Sequence, residues 1–419
     1  LLLYNAVNVR QTTYNIFHSL FFNNIFTIMV IILFDTNAKQ NLYPLTQTKA
    51  VADLRCGIFS IKERWEAISG LPVFIYTQKH LSELYEPIPE DEYLFIDASL
   101  KDEDILRSQV LSLQTGEALY DDMGLIAGRT WNIINDFSIN TTESYFEKVS
   151  VTDTAIRFQF PWQVFLWNDE QLRKDFLLLF ARSTTQKISE TNKIIQPENI
   201  IIEEGASVEH CILNASTGPI FIGKNAIIME GAALRGPVAI CENATVKMNA
   251  KIYGATTVGP FCTVGGEIKN SVLQSYSNKA HDGYLGDAVI GSWCNLGAGT
   301  SNSNVKNSGK EISMWHKASG EKIVVGKKCG MVMGDYSRTA INTSINSGTV
   351  IGICCNVFGE GLTPKFIKDL SWGINDSFNY KFEKAVEHIS NWKKMKGLEF
   401  SSAEISVLKY IFERNQIDA

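Results

Sequence analysis

The chain has 419 residues, enough for two or three domains, and is 45% hydrophobic, 20% charged and 11% aromatic, a balance that buries an ordinary core and excludes a disordered, collagen-like or coiled-coil protein. Its 39 basic and 45 acidic residues leave a net charge of −6, which argues against nucleic acid or an anionic membrane as the main partner. The eight cysteines form no Cys-x-x-Cys pair and are accompanied by six histidines, so we expect neither a zinc cluster nor a disulfide framework but buried free thiols in a reducing cytoplasm.

Residues 1–28 lack a charged leading segment and an Ala-x-Ala cleavage site, and His18, Asn23 and Asn24 interrupt their apolar run. They make a poor membrane span, and a signal peptide is the second reading of them. We expect Met29 to be the natural start and 1–28 to be an extension. From Met29 onward strand-like and helix-like stretches alternate. Strands are expected at Met29–Phe34, Pro72–Tyr76, Tyr93–Ile96 and Leu125–Ala127, and helices at Gly57–Ala67, Asp102–Ser112 and Gln163–Ser183. This order predicts a three-layer α/β domain over 29–190. The last helix, opened by Pro161-Trp162, links it to the second half of the chain.

A repeat governs that second half. Every sixth residue from Ile222 is aliphatic: Ile222, Ile228, Leu234, Ile240, Val246, Ile252, Val258 and Val264. Four positions after each stands a small or β-branched residue, from Ala226 to Ile268. The phase resumes at Tyr284, Ile290, Leu296 and at Ile345, Ile351, Val357. A period of six is the signature of a parallel β-helix, in which each hexapeptide is one flat side of a triangular coil and the aliphatic residue points inward. Stacked coils would lie about 4.8 Å apart. Gly223, Asn225, Gly231, Gly236 and Asn243 are expected to supply positive φ at the corners. Residues 305–324, with Met314-Trp315-His316, interrupt the coils as a polar insertion that could cover or remodel a site. Residues 371–419 show helical spacing at Phe382, Ala385, Val386 and Ile389, and Ser402 suggests a capped last helix. We expect this segment to be a helical cap over the end of the coil.

The hexapeptides, together with Lys279-Ala280-His281-Asp282-Gly283-Tyr284-Leu285-Gly286-Asp287 and Asn295-Leu296-Gly297-Ala298-Gly299-Thr300, resemble the left-handed β-helix acyltransferase domain of the bifunctional glucosamine-1-phosphate N-acetyltransferase/uridylyltransferase family. The chain from Met29 is similar to Bacteroidetes proteins of that family. The acyltransferase likeness covers about 198–370, within a β-helix domain spanning 191–370. It implies a homotrimer with active sites between subunits, and acetyl-CoA as co-substrate. His281 would be the catalytic base, since imidazole titrates near neutrality. The same resemblance implies Lys269 for the acceptor's phosphate, Tyr284, Asn295 and Asn304 for the acceptor, and Ala298 for a backbone contact to the CoA arm.

In the first half, Leu42-Tyr43-Pro44-Leu45-Thr46 resembles the Leu-x-Pro-Leu-Thr of sugar-1-phosphate nucleotidyltransferases. The likeness makes Thr46, Lys49 and Arg55 candidate nucleotide-binding residues and Asp97 a candidate ligand for Mg2+. The stretch that should form a glycine-rich phosphate loop, Asp35 to Asn41, has no glycine, and backbone amides cannot then cradle a triphosphate closely. Three readings are open. The first is an acetyl-CoA-dependent N-acetyltransferase acting on an amino-sugar phosphate or nucleotide sugar, in the making of cell-envelope precursors, fused to an active or degenerate nucleotidyltransferase domain. The second is a uridylyl- or thymidylyltransferase using UTP or dTTP, in which the β-helix only trimerises. The third is a non-catalytic scaffold that binds a nucleotide sugar.

Overall fold

The computed structural model describes residues 29–131, 137–138, 142–153, 155–180, 185–374 and 380–417. The extension 1–28 and the end of the helix expected to reach Ser183 lie outside them. The first unit is a six-stranded sheet of β1 (Val30–Phe34), β2 (Val73–Tyr76), β3 (Glu92–Asp97), β4 (Glu117–Asp121), β5 (Gly124–Trp131) and β6 (Lys148–Val151), in the order β2-β1-β3-β5-β4-β6. β1 runs parallel to β2 and β3, and β5 runs antiparallel to both β3 and β4. Alternation along β1 sends Ile31 and Leu33 to one face and Val30, Ile32 and Phe34 to the other, as the two-residue period of a strand requires. α1 (Ile61–Ser69), α2 (Asp104–Leu111) and α3 (Gln163–Phe180) contribute Ile61, Trp65, Leu106, Val164 and Phe165 to the core on the first face. The second face is filled by rings, Tyr93, Phe95, Phe137 and Phe146. The expected second helical layer is therefore replaced, among the described residues, by aromatic packing. α1 begins later than expected because Ser60 and Glu63 close a capping box, which satisfies two backbone donors at that point.

From Lys193 to Ile367 the chain winds as a parallel β-helix whose strands are mostly two or three residues long. Ile220 pairs with Val238, and Val238 with Thr256, each eighteen residues on, which is three hexapeptides per coil. The inward aliphatic residues and their small partners form one continuous core, with Ile222, Ala226, Ala232, Ile240 and Val246 fully buried. Asn225, Asn243 and Gly231 take the positive φ expected at corners. Gly236 does not. A Cβ there would lie 1.9 Å from the Gly218 carbonyl oxygen, so that glycine serves close approach of stacked backbones.

The period shortens where the motifs lie. Val258 pairs with Leu273 and Leu273 with Ile290. The seven-residue strands Glu267–Leu273 and Tyr284–Ile290 run through a corner and join two faces into one sheet. One consequence corrects the phase: Leu285, stacked on Ile268, takes the inward position, and Tyr284 beside it stays half-exposed. At one corner Phe261, Tyr276 and Trp293, all at positive φ, stack ring on ring with centroids 4.7 and 4.3 Å apart and planes within 3°.

The insertion folds as an antiparallel hairpin, Ile312–His316 with Glu321–Gly326. It clasps the two units together. His316 packs edge-on to Phe160 and Trp162, Trp315 meets Phe366, and Lys317 pairs with Asp369 while lying 4.2 Å over the Tyr43 ring. Val272, Val289, Val332 and Val350 point out of the coil and yet are fully buried, in the same cluster as Ile31 and Phe165. Both sides of those strands are covered, which explains their unbroken apolar runs. α4 (Phe382–Met395) and α5 (Ser402–Ile417) pack along the corner column of Tyr336, Cys354 and Leu370 and reach Leu81 of the α/β unit. They brace the side of the coil instead of closing its end. The α5 cap is Ser401, whose Oγ accepts the Glu404 amide, and not Ser402. All eight thiols are free and buried.

Candidate active site

His281 sits exposed on the corner between the strands Asn278–Lys279 and Tyr284–Ile290. The corner is held from within. Lys279 occupies an inward position, stacked on Val264, and is wholly buried. Its ammonium donates to the carbonyls of His281 and, at 3.2 Å, Asp282. Gly283 has φ of +125°, and a Cβ there would lie 2.2 Å from the Thr300 oxygen, so no other residue fits between the coils. The next coil places Gly297-Ala298-Gly299 directly on this corner, with the Gly299 amide donating to the Asp282 carbonyl at 3.0 Å. His281 and Ala298 are thus on stacked corners.

Beyond the corner a polar cluster forms. The Asn304 amide donates to the Tyr284 hydroxyl oxygen at 2.9 Å and to Asp287 at 2.5 Å, while Asn270 donates to the other Asp287 oxygen at 2.6 Å. Burial, and then the Asp287 charge, push the Tyr284 hydroxyl up to about 12, so it stays protonated and able to donate at neutral pH. Lys269, next to Asn270 and paired across the sheet with Gly286, is exposed. The structure therefore brings Asn304, just past the strand Ser301–Asn302, into contact with Tyr284, with Lys269 on the strand paired to that of Tyr284. Asn295 lies on the third face, between Asn278 and Arg338. Asp287 and Asn270 received no role from the sequence; Asp287 lay inside the motif, but nothing in its spacing showed that it would orient two asparagines.

The buried lysine also went unassigned. Burial lowers Lys279 from 10.5 to about 8, against the opposing pull of Asp282. Below about pH 8 both folded and unfolded chains carry the proton, and the desolvation cost is present in full. It is relieved as pH rises from about 8 to 10.5, by on the order of 2 kcal/mol. We expect the urea midpoint of the wild type to gain on that of Lys279→Met between pH 7.5 and 10; an equal gap at both pH values would contradict this.

In the α/β unit the candidates scatter. Thr46 is buried, its hydroxyl donating to the Lys39 carbonyl at 3.0 Å. Lys49 turns toward the β-helix, 2.9 Å from Asp335 and 2.8 Å from Ser292. Arg55 is buried at the same junction, paired with Glu63 at 2.8 Å, and its backbone amide donates to Gln274. Thr46, Lys49 and Arg55 do not line the cavity of about 850 Å³ that opens beside β3, β4 and β5, which is lined by Thr36, Asn37, Asp97, Asp121, Asp122 and Arg157 among others. Asp97 lines it, but Arg157 takes one of its oxygens at 2.6 Å and Ser99 the other through amide and hydroxyl, at 2.8 and 2.7 Å. Burial raises the Asp97 carboxyl above its usual range despite Arg157.

The fold is thus a nucleotidyltransferase-like α/β domain joined to a parallel β-helix of hexapeptide repeats. Residues 31–184 match the family model described as sugar nucleotidyl transferase. The chain is 28% identical over 225 residues to a bifunctional protein GlmU of Methanococcus vannielii, covering 52% of this chain and 48% of that protein, and 25% identical over 247 residues to that of Synechococcus elongatus, covering 53% and 49%. A bifunctional sugar-1-phosphate nucleotidylyltransferase/acetyltransferase of Sulfurisphaera tokodaii is 36% identical over 93 residues, covering 22% and 23%. The chain spans about half the length of the GlmU proteins that it matches. Among the described residues no helix is long and apolar enough to cross a membrane.

Proposed function

We propose that this chain is a transferase whose β-helix moves an acetyl group from acetyl-CoA to the amine of an amino-sugar phosphate or nucleotide sugar. The observation that carries the reading is the stacking of the His281 corner under Gly297-Ala298-Gly299, fixed by the Gly299–Asp282 hydrogen bond. Such an arrangement puts an imidazole beside a run of small residues along which a pantetheine arm can lie. In this reading His281 takes the proton from the attacking amine, the new amide C–N bond forms at the thioester carbonyl, and the C–S bond breaks to release CoA, its thiolate taking up a proton. Lys269 pairs with the acceptor's phosphate, Tyr284 and Asn304 hold its hydroxyls, and Asn295 serves from a neighbouring copy in a trimer, with sites between subunits. Backbone at Ala298 contacts the CoA arm.

The relatives' second activity, and the match of 31–184 to a sugar nucleotidyl transferase model, raise the question of Mg2+ with UTP or dTTP. The residues do not fit the metal. Both Asp97 oxygens are committed to Arg157 and Ser99, and Lys49 and Arg55 serve the junction. The acyl-transfer reading is tested by a panel of hexosamine phosphates and UDP-hexosamines with acetyl-CoA, following free thiol. We expect CoA release with at least one acceptor, and no turnover with any of them would remove the reading.

A further inference from the structure

Lys279 breaks the rule of the coil that contains it. On its face of the coil the inward column runs through Val246 and Val264 below and Leu296 above. Among the described residues no other member of that column carries a charge. Lys279 is 0% exposed. Taking an ammonium out of water into an apolar stack costs free energy that an aliphatic side chain in the same slot would not cost, so the residue weakens the fold that it sits in. Such a violation of the local pattern is expected chiefly where function requires it, and the contacts of the ammonium show what it does. It donates to the carbonyl of His281 itself and, at 3.2 Å, to that of Asp282. The Asp282 carbonyl also accepts the Gly299 amide at 3.0 Å, from the next coil. The two carbonyls that follow the His281 Cα are thus clamped from within the coil and from above, while the imidazole stands exposed outside.

We propose that Lys279 is a positioning residue of the acyl-transfer site: its buried ammonium holds the His281 carbonyl from inside the coil and so aims the imidazole, and once the proton is lost the hold slackens, so that acetyl transfer falls at alkaline pH while the fold gains stability. The inference rests on the acyl-transfer reading above. A neutral amine still donates to both carbonyls, but charge-assisted hydrogen bonds are about twice as strong as neutral ones, so the clamp loosens without the side chain leaving its slot. The surroundings confine the change to this group. Burial pushes the thiols of Cys262 and Cys294, which open the strands below and above, up to about 12, so they stay neutral, as does the Tyr284 hydroxyl beyond the corner. Asp282, exposed on the same corner, is the one charge among the described residues that acts on the ammonium. With Lys279 lowered to about 8 by burial, its charge is lost mainly between pH 7 and 9, the range over which the desolvation cost is relieved.

The test uses the full chain in two arms. In the first, kcat is followed by CoA release with acetyl-CoA and glucosamine-1-phosphate or UDP-glucosamine from pH 7 to 9. Ionisation of the substrates and of the imidazole is common to the wild type and Lys279→Met and cancels in the ratio of their rates. That ratio is expected to be about tenfold at pH 7 and about threefold or less at pH 9, where about nine-tenths of the wild type has lost the charge, with KM unchanged. A ratio that stays constant over the range, as a merely structural role would give, or a variant as fast as the wild type at pH 7, would overturn the proposal. The second arm needs no acceptor. Hydrogen exchange of the Gly299 amide is compared with that of the Asn342 amide, which makes the same bond one coil on, to the Ala298 carbonyl at 2.7 Å, with no ammonium on its acceptor. In the wild type Gly299 is expected to lose about fivefold in protection relative to Asn342 between pH 7 and 9. A parallel change at the two amides would overturn the clamp. If Lys279→Met does not fold, the wild-type exchange decides alone. Absence of turnover with both acceptors would tell against the acyl-transfer reading and not against the clamp, which the exchange decides.

Discussion

Replacing His281 by alanine is expected to lower kcat for acetyl transfer by about 10²–10⁴-fold, the usual contribution of a positioned general base, with the thermal midpoint unchanged. The two effects separate because of how the corner is built. Its backbone is held by the Lys279 ammonium from inside and by the Gly299 amide from the next coil. The exposed imidazole makes no hydrogen bond or ion pair to any described residue and takes no part in that support. CoA release followed by thiol titration, alongside a thermal melt, checks both halves. A variant that keeps more than half of the wild-type rate would remove His281 from the chemistry, and one that melts early would show a structural role instead.

The largest effect on stability is expected from Asp175→Ala. Asp175 lies on α3, fully buried, and receives Arg64 through Nε at 2.9 Å and Nη2 at 3.0 Å, Gln171 at 2.9 Å and the Ile58 amide at 2.8 Å. Removing the carboxylate strands a guanidinium that is 5% exposed. Breaking a buried pair in this way costs about 3–5 kcal/mol. The Asp169–Arg173 pair on the same helix gives the contrast. Its partners are 45–47% exposed, where solvent screens the charges and their worth is about 0.5 kcal/mol or less. Urea denaturation should place Asp175→Ala far below Asp169→Ala; similar midpoints would refute the argument.

How much of this was legible in the sequence depends on what each signal rests on. The β-helix was legible because its period is enforced by a stack that repeats every coil, so that Ile222 to Val264 obey one rule. The rule misled at Tyr284, where two corners had been shortened and Leu285 took the inward place. Strands β1, β2 and β3 were visible as short apolar runs bounded by turns. β4 and β6 were missed: β6 is exposed along its length, so no buried face patterns it. The motif containing His281 and Tyr284 was legible, but the partners that orient it were not. Asp287 meets Asn304 and Asn270 through contacts between coils, which no local pattern encodes. The same holds for Lys49 and Arg55. Their distance from a nucleotide-like motif suggested phosphate, whereas they are claimed by Asp335 and Glu63.

The column of Phe261, Tyr276 and Trp293 gives the molecule a built-in optical gauge. Flat rings 4.7 and 4.3 Å apart, with planes inclined by 3° and 1°, have electronic transitions that couple strongly. Excitation absorbed by Tyr276 passes to Trp293, and the pair contributes to circular dichroism in the near ultraviolet. The dichroism weakens sharply if consecutive turns slip by a few ångströms, because the coupling depends on the stacked geometry. The dichroism thus reads whether the coils on either side of the His281 corner are wound or frayed, without any added label.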